Sequence, residues 1–156
     1  DDIYRVDIPC QADAIVTSCG GFPKDISLYQ GTKTIDNVES ALKPGGTLVL
    51  FIEAPEGGGP AEYFDWSKNL QDGTLEQRLR EAFTVAGYIF FLNCEQAQRY
   101  RIFLYSSIDP KDVAPMGIHA YSDLDELLKA AQLDGKSTYV IPNGSTVIPR
   151  VKGANQ

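Results

Sequence analysis

ADAIVTSCGGFPKDISLYQGTKTIDNVESALKPGGTLVLFIEA, running from Ala12 to Ala54, decides the fold of this 156-residue chain. Ala12 to Ser18 is a short run rich in β-branched residues that ends at Gly20-Gly21, the pattern of a buried strand entering a tight turn. Ser27 to Leu42 has helical periodicity. Ser27 with Gln30 three residues on fits a capping box, and Pro44-Gly45-Gly46 supplies a stop. Thr47 to Ala54 reads as a second strand, apolar on both faces, as in the interior of a parallel sheet. Strand, helix and strand joined by short loops form a βαβ unit with a right-handed crossover.

The rest of the chain continues the alternation. Pro55 to Pro60 (PEGGGP) is a loop, followed by helices over Ala61 to Asn69 and Thr74 to Phe83, the latter with Thr74 and Gln77 as a second capping box. Tyr88 to Gln98 is read as a helix and Tyr100 to Ser106 as a strand. Ser122 to Gln132 is an amphipathic helix capped by Ser122, with Leu124, Leu127, Leu128 and Ala131 as its stripe. Thr138 to Ile141 is read as a last buried strand, and Thr146 to Pro149 as a short edge piece. The expectation is one α/β domain: an open, mostly parallel, Rossmann-like sheet with helices on both faces, in three layers. Ile15, Val49, Leu50, Phe103 and Val140 are its expected core. Ligands in such sheets bind at the carboxyl ends of the strands. The loops Gly20 to Asp25 and Pro55 to Pro60 both lie there.

Composition removes several classes of function. Acidic residues outnumber basic ones 21 to 14, giving a net charge of −7. That argues against a nucleic-acid partner. No apolar run reaches the ~18 residues of a membrane span. Cys10, Cys19 and Cys94 follow no ligand spacing and read as buried or half-buried free thiols. His119 is the one histidine. It is expected to be structural or solvent-exposed, so a catalytic triad or a metal site within this chain is not expected. Glu56, Glu62 and Asp65 read as surface charges. The absence of a signal peptide points to the cytoplasm. The start at Asp1 without an initiator Met is read as a cut from a longer protein.

The helix after the first strand can be resolved by angle. At about 100° per residue, Leu28, Gly31, Ile35, Val38 and Leu42 share one face, and Gly31 allows that face close to the sheet. Tyr29, Gln30 and Lys33 share the opposite face, near a helix N-terminus that favours anions. An ammonium and a carboxamide side by side can hold a carboxylate.

Ala12 to Lys33 resembles the "AD-strand, GG-aromatic-PKD, LYQ-x-x-K" signature of the C-terminal domain of the nickel-dependent lactate racemase (LarA) family. Leu42 to Gly59 (LKPGGTLVLFIEAPEGGG) is similar to that family's "VKPGG, strand, EC-x-EG-x-G" segment. The resemblance implies that Tyr29, Gln30 and Lys33 face the active site across a domain cleft, with Gln30 and Lys33 on the substrate and Lys33 the catalytic candidate. Gly20, Gly21, Pro23, Lys24 and Asp25 form the loop beside them. An aromatic residue of a later helix approaches the substrate, for which Tyr88 is favoured over Trp66. The resemblance further implies a small 2-hydroxy acid substrate and hydride transfer. The cofactor it implies, a nickel-pincer nucleotide, would be held by an N-terminal domain that is absent here. No cofactor is expected on this chain, which alone is expected to be inactive.

Two other readings compete. LKPGGTLVLF also occurs in methyltransferases, and Glu53 at the end of the second strand would suit a ribose. Pro23, however, stiffens the loop those enzymes need to be glycine-rich. A non-catalytic α/β module binding an anion or nucleotide, with Gly20 to Asp25 as an anion nest, is the second.

Overall fold

A computed structural model describes residues 4–153. Strands β1 (Arg5–Ile8), β2 (Ala12–Ser18), β3 (Leu42–Phe51), β4 (Arg101–Tyr105), β5 (Ile118–Tyr121), β6 (Thr138–Ile141) and β7 (Ile148–Val151) form two sheets. The main sheet has the order β5-β4-β3-β2-β6, and every pairing in it is parallel. β1 and β7 pair in parallel as a separate ribbon. The expected α/β fold with a parallel sheet is therefore observed, and the expected edge piece is strand β7.

Helices α1 (Leu28–Gly31), α2 (Lys33–Val38), α3 (Ser67–Gln71), α4 (Leu75–Glu81), α5 (Val85–Arg99), α6 (Pro110–Val113) and α7 (Leu124–Ala131) complete the domain. One sheet face carries the main core. Ile15, Leu48, Leu50, Ile102, Leu104 and Ile118 pack there against Leu28, Ile35 and Val38 of α1 and α2 and Phe90 of α5. The other face is covered by α7, whose Leu127 and Ala131 join Val49 and Phe103. Among the described residues, the third layer is thus a single helix.

The differences from expectation have local causes. Ser27 to Leu42 is not one helix. Thr32 interrupts it, its hydroxyl donating to the Leu28 carbonyl at 2.9 Å, a back-bond that competes with regular helix. After a 3-10 turn at Glu39–Ala41, Leu42 already belongs to β3. Lys43 to Gly46 is a bulge inside that strand rather than a helix stop, because Leu42 pairs with Ala12 and Thr47 with Ala14. Ala61 to Asn69 forms turns and a 3-10 segment before α3. Thr74 makes no side-chain cap on α4; its hydroxyl donates to Asp72 instead, at 2.5 Å. α7 is capped by Asp123, not Ser122, and Leu124 and Leu128 stay exposed.

Val140 is 70% exposed, against expectation, because β6 is an edge strand and α7 does not reach its outer face. Ile15, Val49, Leu50 and Phe103 are buried as expected. β1 and β5 are strands the sequence reading did not place. Cys10 is exposed, while Cys19 and Cys94 are buried free thiols, and burial pushes Cys94 up to about 12. His119 is exposed on β5, stacked on Phe103 at 5.5 Å.

Candidate functional site

The connection β2→β3 runs to one side of β2, and β6 returns to the other. This reversal makes the carboxyl ends of β2 and β6 the switch point where open α/β sheets bind ligands. The two strand exits are stitched together there. Gly144 donates its N–H to the Ser18 carbonyl at 2.8 Å, and the Ser145 hydroxyl donates to the Cys19 carbonyl at 2.5 Å. Gly20, at φ +96°, passes so close to Asn143 that a Cβ would meet its Oδ1 at 2.8 Å.

α1 starts beside this junction. Ser27 caps it, accepting from the Gln30 N–H at 3.4 Å. The second glycine loop closes over the same end: the N–H groups of Leu28 and Tyr29 donate to the carbonyls of Gly57 and Gly58 at 2.9 and 3.1 Å. Gly31 presses onto the sheet, where a Cβ would lie 2.6 Å from Ile52. These bonds correct the sequence reading in one respect. α1 is only four residues long and its first N–H groups are already taken, so it offers an anion no helix end. The loop is no open nest either, since the N–H of Gly20 goes to the Ser18 hydroxyl and that of Lys24 to the Gly21 carbonyl. Any anion held here is held by side chains.

Those side chains converge. Lys24, Gln30, Lys33, Thr34, Asp36, Asn37, Ile89 and Ser145 line one open cleft of about 510 Å³. The Lys33 ammonium donates to Gln30 Oε1 at 2.8 Å and sits 4.5 Å from the centre of the Tyr29 ring. It has no carboxylate partner among the described residues. With its oxygen engaged by Lys33, the exposed Gln30 keeps its NH₂ as a donor. The cleft thus offers two ammonium groups and an amide donor, a set suited to a small carboxylate.

The remaining candidates fall elsewhere. Gly21 and Asp25 line a second cleft of about 430 Å³ with Ser18, Phe51, Glu53 and Ser106, on the other side of the loop. Pro23 is exposed and lines neither cleft. Tyr88 is 45% exposed and pairs with Phe83 at 6.1 Å; Ile89, the next residue, is the one from α5 that lines the cationic cleft. Trp66 packs on Gly87, leaving no space for a Cβ there. Asp36, Asn37 and Ser145 were missed by the sequence reading. The first two lie one turn beyond Lys33, a spacing visible in the sequence, whereas Ser145 arrives only through the β6 crossover.

Comparison with known proteins identifies the family and the fold. The profile of the "lactate racemase C-terminal domain" family covers residues 8–149. The chain belongs to that family. It is 27% identical over 150 residues to the lactate racemase of Thermoanaerobacterium thermosaccharolyticum, covering 90% of this chain and 35% of the relative. It is 26% identical over 149 residues to that of Lactiplantibacillus plantarum, covering 87% and 34%. The chain therefore spans about a third of the length of these relatives. The structure of the T. thermosaccharolyticum lactate racemase apoprotein superposes with a TM-score of 0.81 over 96% of this chain and 38% of that one, at 27% identity. A Thermotoga maritima protein shares the fold alone, with a TM-score of 0.61 at 13% identity over 97% of this chain and 40% of its own. Membership in this family sets aside the methyltransferase reading. Among the described residues, no helix is long and apolar enough to cross a membrane.

Proposed function

We propose that this chain is the substrate-gripping domain of a lactate racemase-like isomerase of 2-hydroxy acids. The observation that carries the proposal is the cleft at the β2/β6 switch point, where Lys33, Gln30 and Lys24 converge and neither lysine is ion-paired among the described residues. Lys33 gives a charge-assisted bond to the substrate carboxylate, Gln30 adds a neutral donor, and the Tyr29 ring holds the ammonium from below. Their role is positional and electrostatic: they fix the carboxylate, and with it the orientation of C2.

The nickel-pincer nucleotide and the hydride transfer implied by the resemblance belong, in this proposal, to a neighbouring N-terminal domain. The described residues include no group of three or more His, Cys, Asp or Glu side chains arranged to hold a metal. His119 stands on β5 against Phe103, in a different part of the sheet from the cleft. The donor set of the described residues does not fit the cofactor.

The test is a titration of the isotope-labelled chain with D- and L-lactate, followed by NMR. Saturable shifts at Lys33 and Gln30 are expected, with those at Gln30 lost in Lys33→Ala. Shifts that are equal in Lys33→Ala and the parent chain contradict the proposal.

A further inference from the structure

A chain of hydrogen bonds runs through the core and ends in the cationic cleft. The Tyr63 hydroxyl donates to Asn93 Oδ1 at 2.7 Å, Asn93 Nδ2 donates to Gln96 Oε1 at 3.0 Å, and Gln96 Nε2 donates to Asp36 Oδ1 at 2.7 Å. Tyr63, Asn93 and Gln96 are each at most 1% exposed. Every donor points the same way, toward the carboxylate, so the bonds polarise one another in a single sense. Asp36 itself is exposed, but its bond to Gln96 is partly withdrawn from water. That withdrawal pushes the carboxyl up, while the Gln96 bond and the more distant Arg99 act the other way. Arg99 is committed to Glu39 at 3.3 Å.

Asp36 lines the same cleft as Lys24 and Lys33, yet makes no ion pair with either among the described residues. The buried relay explains this. With Oδ1 tied to Gln96, the carboxylate is held in place and does not swing onto a lysine. Two ammonium groups and one carboxylate leave the cleft with a net charge of +1. That charge matches one carboxylate and not two.

Resting on the substrate-gripping function above, we propose that Asp36 is a specificity determinant that restricts the cleft to monocarboxylic 2-hydroxy acids, with Gln96, Asn93 and Tyr63 as its positioning residues. A second carboxylate on the ligand would meet a fixed negative charge that cannot turn away, and rejection by such a like charge is a common source of selectivity. A residue present only to satisfy Gln96 would need no charge, because the Asn carbonyl accepts the same bond.

The test compares L-lactate with L-malate on the full chain, following the Lys33 side-chain shifts at constant ionic strength. The parent chain is expected to bind lactate at least about tenfold more tightly than malate. Asp36→Asn keeps the Gln96 bond and the fold, and should erase or invert that preference. Asp36→Glu should restore it. Gln96→Met, if folded, should relax the preference while leaving lactate affinity within about twofold, which a merely structural role would not produce. A parent chain whose Lys33 responds to malate as strongly as to lactate overturns the role of Asp36 and leaves the anchor standing. So does an Asp36→Asn chain with unaltered preference. A Lys33 that responds to neither acid overturns the anchor and this inference together.

Discussion

The two ends of the main sheet treat charge in opposite ways. At the amino end, Asp13 is saturated: Lys43 donates to it at 2.7 Å, and Ser137 donates both its hydroxyl, at 2.8 Å, and its N–H, at 3.0 Å. These bonds hold its carboxyl at about 2, well below the usual range, and Lys43 is raised in return. At the carboxyl end, Lys24, Asp25 and Glu53 make no side-chain hydrogen bond or ion pair among the described residues. Lys33 spends its ammonium on an amide and a ring. Charges that have found partners tie strands together, whereas charges without partners stay available to a ligand. The open charges are also sorted. The loop between β2 and α1 turns Lys24 into one cleft and Asp25, two residues from Pro23, into the other.

The largest expected effect breaks this contrast from the open end. Lys33→Ala should lower lactate affinity about 10- to 150-fold, the loss of a charge-assisted bond worth roughly 1.5–3 kcal/mol. Its effect on folding should stay within about 0.5 kcal/mol, because truncation of an exposed side chain is nearly neutral. Lys43→Ala at the other end should leave lactate affinity unchanged. A titration and a urea melt of each variant check both statements.

The next effect concerns the contact that presents the cationic side chains. Gly31→Ala places a methyl against Ile52, so α1 must lift from the sheet; overpacking of this kind costs about 1–3 kcal/mol, readable by urea denaturation. Acid should then act at the amino end. The carboxyl of Asp13 lies lower in the folded chain than in the unfolded one, so its contribution is present above about pH 4 and is lost as pH falls toward 2. Asp13→Asn should flatten that part of the stability curve. The smallest effect belongs to the acidic cleft: Asp25→Asn and Glu53→Gln should tighten lactate by no more than about threefold, since exposed charges at such range are screened at physiological salt.

Much of this was legible in the sequence because one segment states it redundantly. Ala12 to Ser18 and Thr47 to Phe51 carry β-branched and apolar residues on both faces, and only an interior parallel strand buries both. The outward arc of Tyr29, Gln30 and Lys33 survived even though the helix breaks at Thr32, since α2 resumes within a residue. Val140 was misread because Thr138 to Ile141 has the composition of a buried strand, and edge position depends on strand order rather than on composition. β1 was not read because the alternation of Val6 and Ile8 with Arg5 and Asp7 spans only four residues, the shortest run that signals a strand, and its partner β7 lies at the other end of the sequence. The Tyr63–Asn93–Gln96–Asp36 relay was likewise hidden. Its members come from three segments that meet only when α5 packs on α2.

A crystal structure of the chain with lactate decides whether Lys33 and Gln30 grip the substrate. The lactate carboxylate is expected against Lys33 Nζ and Gln30 Nε2, within the cleft that Lys24 and Ser145 also line. Lactate seated in the cleft of Asp25 and Glu53, with the Lys33 ammonium still bound only to Gln30, would contradict it.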